Sequence, residues 1–379
     1  MNTFCPFVLF HPLNRTDGSN IRALKTNFLS IFVLVSLILV AQASRSLGDE
    51  DPIELIQPGY VKAVVYSPDG KILAVGGWQD FGGKDVGGKD AVKLVGTVRI
   101  LDAANNEEIR TLRHGGSEVT CLAFAPDGKT IASGSQTNLE DLRAGGTVKL
   151  WDVATGEQTV SFETGAMIIS ALGFTPDGKV VGAAASESIS LWDTASRKHL
   201  VSFRGNESYV GDFAFSPDGK TIAAAGGKRG EASVVKLWDT NTAKEIRSLS
   251  GSLEEQVTAV AYSHDGKLLA STRGDLFGGV FLWNTTTWES RPADGALYTI
   301  SSLAFSPDGK LLVVGDTHGA AALVDVASGE QIIVLTPGVR GVASVAFSPD
   351  GKSVAVAGTS SVMLWNVEQA LKRASTAKK

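Results

Sequence analysis

From residue 52 onward, apolar and polar positions recur in short, evenly built runs. Six-residue runs at 61–66, 119–124, 169–174, 210–215, 257–262, 300–305 and 342–347 each open with Val or Ile and end in Tyr or Phe. The fourth position is always a branched aliphatic residue or Phe. Runs of this length, bounded by turn residues, predict strands. Each is followed by Ser67-Pro68-Asp69-Gly70-Lys71 or a close copy, and the glycines of the seven copies are spaced 58, 50, 41, 47, 43 and 42 residues apart. Proline presets φ for a turn, aspartate suits the next position, and glycine takes the positive φ that closes a hairpin. The fifth copy has His264 in place of proline, a turn variant. A second apolar strand follows each turn. A third ends in a recurring pair: Leu101-Asp102, Trp151-Asp152, Trp192-Asp193, Trp238-Asp239, Trp283-Asn284, Val324-Asp325 and Trp365-Asn366. A fourth follows a short polar turn, at 108–112, 158–162, 199–203, 245–249, 289–292 and 331–335. Seven units of four strands, with a period near 40–45 residues, predict an all-β chain folded as a seven-bladed β-propeller with four antiparallel strands per blade.

A ring of blades must join its last blade to its first or leave an open strand edge. The seventh unit has no obvious fourth strand after Trp365-Asn366, whereas Pro52-Ile53-Glu54-Leu55-Ile56 resembles the fourth strands elsewhere. Residues 52–57 are therefore expected to complete the last blade and close the ring. The propeller spans 52–366, after a linker at 44–51. Residues 367–379 are rich in Ala and Lys and read as a frayed helix or tail.

The order apolar strand, Ser-Pro-Asp-Gly-Lys, strand, Leu-Trp-Asp, strand resembles the WD-repeat family over about residues 52–366. The resemblance implies that Trp151, Trp192, Trp238, Trp283 and Trp365 pack between neighbouring blades. A buried Trp removes about 150–250 Å² from water, worth several kcal/mol at roughly 25 cal/mol per Å². Leu101 and Val324 hold the same slot less well. The family often carries a Gly-His pair whose His joins a buried hydrogen-bond tetrad. Only His114-Gly115 hints at it here, in reversed order. Most blades are expected to lack the tetrad and to rely on apolar packing. The resemblance also implies a protein-binding scaffold.

Residues 1–43 have a different pattern. Positions 28–40 form an uncharged apolar run, preceded by Arg22 and Lys25 and followed by Ala41-Gln42-Ala43. A basic segment, an apolar segment of this length and a small-x-small site read as a secretory signal peptide. As a helix, 13 residues rise only about 20 Å against a hydrocarbon core of roughly 30 Å. An uncleaved membrane anchor is the alternative, so contact with a membrane is expected only through this segment. Export to the periplasm, cell envelope or exterior is the expectation. Cys5 would leave with the segment, and Cys121, inside an apolar run, reads as a small buried core residue.

Net charge is −5 with no long run of one sign, which argues against a nucleic-acid partner. Of the 42 positions on the seven innermost strands, only Lys62 and Asp212 are charged. Such a channel offers no converging acids or histidines, so no catalytic residue, metal or cofactor is expected. Insertions are more telling. From turn glycine to Trp slot the seven gaps are 31, 23, 14, 19, 17, 15 and 14 residues, so blades one and two carry the longest extra segments. Blade one's insertion, 76–96, holds Trp78 and Phe81. Blade two's adds Leu139, Leu142 and Arg143, blade four's Lys228 and Arg229, and blade five's Leu276 and Phe277. Exposed aromatics and arginine on loops are common partner anchors, although Trp78 and Phe81 could equally fold back to pin a long loop. The leading expectation is a scaffold that binds a protein through its long-loop face, alone or within a complex. The alternatives are a small ligand bound or hydrolysed at the channel mouth, and a structural part of a larger assembly.

Overall fold

The computed structural model describes residues 52–84, 90–91, 94–115, 118–137, 145–204, 209–227, 234–250, 257–272, 279–294, 298–335 and 339–377. They form seven four-stranded antiparallel sheets. In blade 2 the strands run Val119–Phe124, Thr130–Ser135, Thr147–Asp152 and Gln158–Glu163, in spatial order from the axis outward. Each innermost strand packs against the innermost strands of both neighbours, and the first packs against the last, so the seven sheets form a ring. Residues 1–51, which carry the basic–apolar–small pattern, lie outside the described residues. Among the described residues no helix is long and apolar enough to cross a bilayer.

The ring closes through the N-terminal strand. Ile53–Ile56 pairs antiparallel with Ser361–Asn366, with Ile53 opposite Leu364 and Ile56 opposite Ser361, and is the outer strand of blade 7. The chain then passes directly into blade 1, where the Val61 N–H donates to the Thr359 carbonyl at 3.1 Å.

The apolar core is divided among the seven joints. Each joint has its own cluster, built around the Trp slot of one blade and the strands of the blade before it. Trp151 packs on Val98, Ile100 and Leu112 of blade 1. Trp192 packs on Leu150, Val160 and Phe162 of blade 2, with the Phe162 ring stacked at 5.1 Å. Trp238 and Trp283 repeat the arrangement at the next two joints, and Trp365 does so against blade 6. Val324 and Leu101 fill the remaining slots, Leu101 against Leu55 and Leu364 of blade 7. Indole N–H groups are served unevenly. Trp151 and Trp283 donate to Ser133 and Ser271 at 2.8 and 2.9 Å. The Trp365 N–H is buried without a partner. His114 is buried at the joint of blades 1 and 2, with Nε2 3.3 Å from the Ser133 carbonyl, so one joint carries a reduced version of the tetrad.

A second set of contacts runs round the axis. In five blades the register shifts between the first and third residues of the innermost strand, a bulge at the second residue. The bulged side chain reaches across the joint. Thr120 donates to the Ile169 carbonyl, Ser170 to that of Val210 at 2.7 Å, Thr258 to that of Ile300 and Ser301 to that of Val342. In blade 1 the residue is Lys62, which pairs with Glu118 of blade 2 at 3.9 Å. In blades 4 and 7 it is Gly211 or Ala343, and the next residue takes over. Asp212 accepts the Val260 N–H at 3.0 Å, and Ser344 accepts that of Val64 at 3.3 Å. Every joint therefore has a polar clasp at the axis, each neutral one worth about 1 kcal/mol.

Two innermost strands are shorter than expected, at Val260–Tyr262 and Ser344–Phe347. Ahead of them, the Thr258 N–H is taken by the Thr272 hydroxyl and the Val342 N–H by the Asp316 carbonyl of blade 6, so neither N–H joins the ladder. The segment after Asn366, expected as a frayed helix or tail, takes the helical form. It is helix α1 (Val367–Ala377), capped by the Asn366 side chain on the Gln369 N–H, and it buries Val367, Ala370 and Ala374 against blades 6 and 7.

On the opposite end of the blades the proline turns touch. In six copies a proline ring lies 3.2–3.7 Å from where a Cβ on the next blade's turn glycine would sit. The exception is Gly309, which follows the copy with His264 and has nothing within 4 Å. Both Gly219 and Gly309 sit near φ +70°, which costs an L-residue about 1–2 kcal/mol. Gly309→Ala should lose that amount in urea unfolding. Gly219→Ala, which also meets Pro176 at 3.2 Å, should lose about 1 kcal/mol more. Equal losses would show that the turns do not pack on one another.

Burial, and then the Lys149 charge, push the His114 imidazole down to about 4. Its folded value lies below the unfolded value of roughly 6.5, so between those values the unfolded chain binds the proton and the folded chain does not. Stability is lost as pH falls through this window. From pH 7 to pH 4.5, unfolding free energy should drop by about 2–3 kcal/mol more in the natural chain than in His114→Gln. Parallel pH dependences would refute the assignment.

Candidate functional site

In this topology the entries to the innermost strands and the connections between second and third strands emerge on one face, the long-loop face. The proline turns and the turns after the Trp slot lie on the other. Among the described residues, those at the entry to the innermost strands therefore ring the channel mouth. They include Tyr60, Glu118, Met167 with Ile168, Tyr209, Tyr298 and Arg340. Among the described residues twelve large hydrophobic side chains are exposed. Tyr60, Met167, Ile168, Tyr209 and Tyr298 belong to this rim, Phe81 and Leu94 to the blade 1 hairpin above it, and Ile56 to the end of the closing strand. The other four, Ile109, Leu200, Ile246 and Val334, lie on outermost strands, and none is in the turns of the opposite face.

Both ends of the blade 1 insertion are strand. The second strand extends over Ile72–Asp80 and the third over Leu94–Asp102, paired from Ile72↔Asp102 to Asp80↔Leu94. Trp78 is thus a strand residue. It is half-buried, and its ring stacks on Tyr60 at 4.7 Å. Glycines make this possible. A Cβ on Gly77 would lie 1.8 Å from the Tyr60 carbonyl, and one on Gly59 equally close to that of Trp78, so larger residues would force the two backbones apart. Phe81 sits under the Arg113 guanidinium, 4.3 Å from its ring centre, which ties the hairpin to blade 1's outer strand. Both aromatics hold the hairpin while keeping part of their surface in solvent.

Two blades round the ring from blade 1, blade 6 presents a second aromatic pair. Asp316 is 1% exposed and gathers three N–H groups, from His318 at 2.9 Å, Ala320 at 2.8 Å and Tyr298 at 3.3 Å. The rings of Tyr298 and His318 lie 4.3 Å apart in consequence, and Tyr298 remains 61% exposed. Next to them is a cleft of about 240 Å³, walled by Tyr209, Gly211, Thr258, Thr299, Ser301 and Thr317 among others. It is open where Gly211 stands in the position that carries a hydroxyl in four other blades. The channel wall below is nearly neutral. Burial pushes the Asp212 carboxyl up to about 6 against the pull of its two backbone N–H donors. Burial also raises Glu118 despite its pairing with Lys62. Cys121 is buried, and its thiol is pushed up to about 12 by burial, so it is no thiolate. Among the described residues no three His, Cys, Asp or Glu side chains gather to hold a metal ion.

Of the expected anchors, Leu139, Leu142, Arg143, Arg229, Leu276 and Phe277 lie outside the described residues. The aromatics of the rim itself, Tyr60, Tyr209, Tyr298 and His318, were not singled out by sequence reasoning. Their signal was present: three of the seven copies carry a tyrosine one or two residues upstream of the innermost strand.

Comparison with known proteins agrees with the architecture. The family description "WD domain, G-beta repeat" matches residues 106–152, 197–239, 243–276 and 329–366. A second description, "Anaphase-promoting complex subunit 4 WD40 domain", matches residues 278–343. Among solved structures, a chain of Kuenenia stuttgartiensis hydrazine synthase is similar, with a TM-score of 0.65 and 19% sequence identity over 82% of this chain and 96% of that one. At that identity the likeness is one of fold. With 1702 solved chains matching, the fold by itself selects no activity.

Proposed function

The chain belongs to the WD-repeat family of β-propellers, and from that premise we propose that it is an exported, non-catalytic scaffold that binds a protein partner through its long-loop face. WD-repeat propellers generally serve as protein-interaction scaffolds. One observation carries the choice of face: among the described residues seven of the twelve exposed large hydrophobic side chains, including all four aromatic ones, lie at the channel mouth or on the blade 1 hairpin, and the opposite turns have none. The turn face instead displays exposed Lys–Asp pairs such as Lys71–Asp69 and Lys267–Asp265, which hold little binding energy. Tyrosine and tryptophan supply large contact area at small entropic cost. Here they are already held in place by stacking, by Asp316 and by Arg113, so little further ordering is needed on binding. The cleft beside Tyr209 would accept a side chain from the partner. The export part of the proposal rests on the basic–apolar–small pattern of residues 22–43.

A photo-crosslinking residue at position 298, with a control at position 267 on the turn face, tests the proposal in the natural host. One defined protein should be captured from 298 and not from 267. Capture should fall at least tenfold when Tyr60 and Tyr209 are both changed to Ser. Equal capture at the two positions, or none at 298 with the fold intact, would overturn it. A small-molecule ligand at the cleft would then be the reading to pursue.

A further inference from the structure

On the turn face, two joints hold an arginine side chain at their outer end. Between blades 1 and 2 it is Arg110, which pairs with Ile100 on the outer strand and lies across Gly156 of the next blade. A Cβ on Gly156 would be 2.5 Å from the Arg110 Cδ and Nη1. Asp152, whose carboxyl is lowered mainly by hydrogen bonds from Thr155, also feels the Arg110 charge. Between blades 5 and 6 the same place is held by Arg291, paired with Leu282. Its guanidinium donates to the Val326 carbonyl and lies 3.2 Å from where a Cβ on Gly329 would be. Two joints of one chain thus use an arginine side chain for the same slot.

The joint of blades 2 and 3 has the slot without the arginine. Val160 pairs with Leu150 at the position of Arg110 and Arg291, and a cavity of about 330 Å³ remains. Its floor is apolar, made by Leu150, Val160 and Phe174, and suits the methylene stem of a long side chain. Asp127 and Asp177 stand at its edges. Thr194, on its wall, is the counterpart of Val326, whose carbonyl receives the guanidinium at the sister joint. Asp193 corresponds to Asp152 and Asp325. The lining also contains Arg197, at the position of Gly156 and Gly329, with φ +64° and an exposed side chain.

We propose that this groove is a receptor for a guanidinium group, filled by an arginine side chain of a partner protein. The sister joints supply the argument for the occupant: the same scaffold position holds an arginine beside an aspartate, Asp152 or Asp325, and at one of them the guanidinium donates to a turn carbonyl. Arg197 opposes the incoming charge, so affinity for a single side chain is low and the groove serves as one contact of a larger interface. This site is separate from the channel rim and does not depend on it.

Protein-observed NMR of the full chain, following the methyls of Leu150, which lines the groove in every variant, during titration with Nα-acetyl-arginine amide and with the lysine analogue, tests the proposal. The arginine compound should bind saturably and at least fivefold more tightly than the lysine compound. Val160→Arg, which puts the chain's own side chain in the slot, should weaken binding at least tenfold. Arg197→Gly, which restores the glycine of the sister joints and relieves the positive φ, should strengthen it at least threefold. The proposal is overturned if arginine and lysine bind alike, if Arg197→Gly does not bind more tightly, or if a folded Val160→Arg binds as well as the natural chain. Should Val160→Arg not fold, the first two comparisons decide.

Discussion

The joint between neighbouring blades at the channel axis is the constraint on which this ring depends. Strands converge there, and the core cannot be a single apolar mass because each blade contributes one face to each of two clusters. The bulge in the innermost strand resolves the packing. It turns one small polar side chain sideways into the next blade, where it satisfies a backbone group that the sheet ladder leaves over. Thr120, Ser170, Thr258 and Ser301 do this with hydroxyls, Lys62 with an ion pair, and Asp212 and Ser344 from one position further along. The clasp is kept although the residue type is not. Where the side chain is missing at one position, as at Gly211 and Ala343, it is present at the next.

That rule also shapes the candidate site. The long-loop face is held in register by the clasps just beneath it, so residues entering the innermost strands project from a firm base. At the joint of blades 4 and 5 the clasp moves down to Asp212, and the space left at Gly211 is the cleft beside Tyr209. On the turn face the joints are bridged instead by proline against glycine, and at two joints further out by arginine against glycine. His264 leaves Gly309 without a neighbour, and Val160 leaves the position of Arg110 and Arg291 without an arginine.

Much of this was legible in the chain. Ser-Pro-Asp-Gly-Lys and Trp-Asp mark local events, a turn and a slot, and local events leave local signals. Closure by residues 52–57 was readable because the missing fourth strand had a visible twin. The clasps were not, because Thr120 or Ser170 gains its meaning only when a one-residue bulge changes the register. Trp78 was read as a loop residue because glycine- and lysine-rich sequence follows it, yet cross-strand pairing and the close approach at Gly59 and Gly77 make it a strand residue. Helix α1 was undervalued for a related reason. Val367, Ala370, Leu371 and Ala374 have helical spacing, but two of the four are alanines, which offer little apolar surface. Rim tyrosines escaped notice because they precede the repeated phrase.

Hydrogen exchange on two chains, residues 46–379 and residues 58–379, tests most directly whether the ring is held as one closed unit. The account predicts that losing the closing strand raises exchange in its partner Ser361–Asn366 and in the blade 1 strand Gly59–Tyr66. The effect should also pass round the ring to the innermost strands of blades 2 and 6. Protection unchanged beyond the directly exposed strand Ser361–Asn366 would contradict it, and would mean that the blades stand on their own without closure.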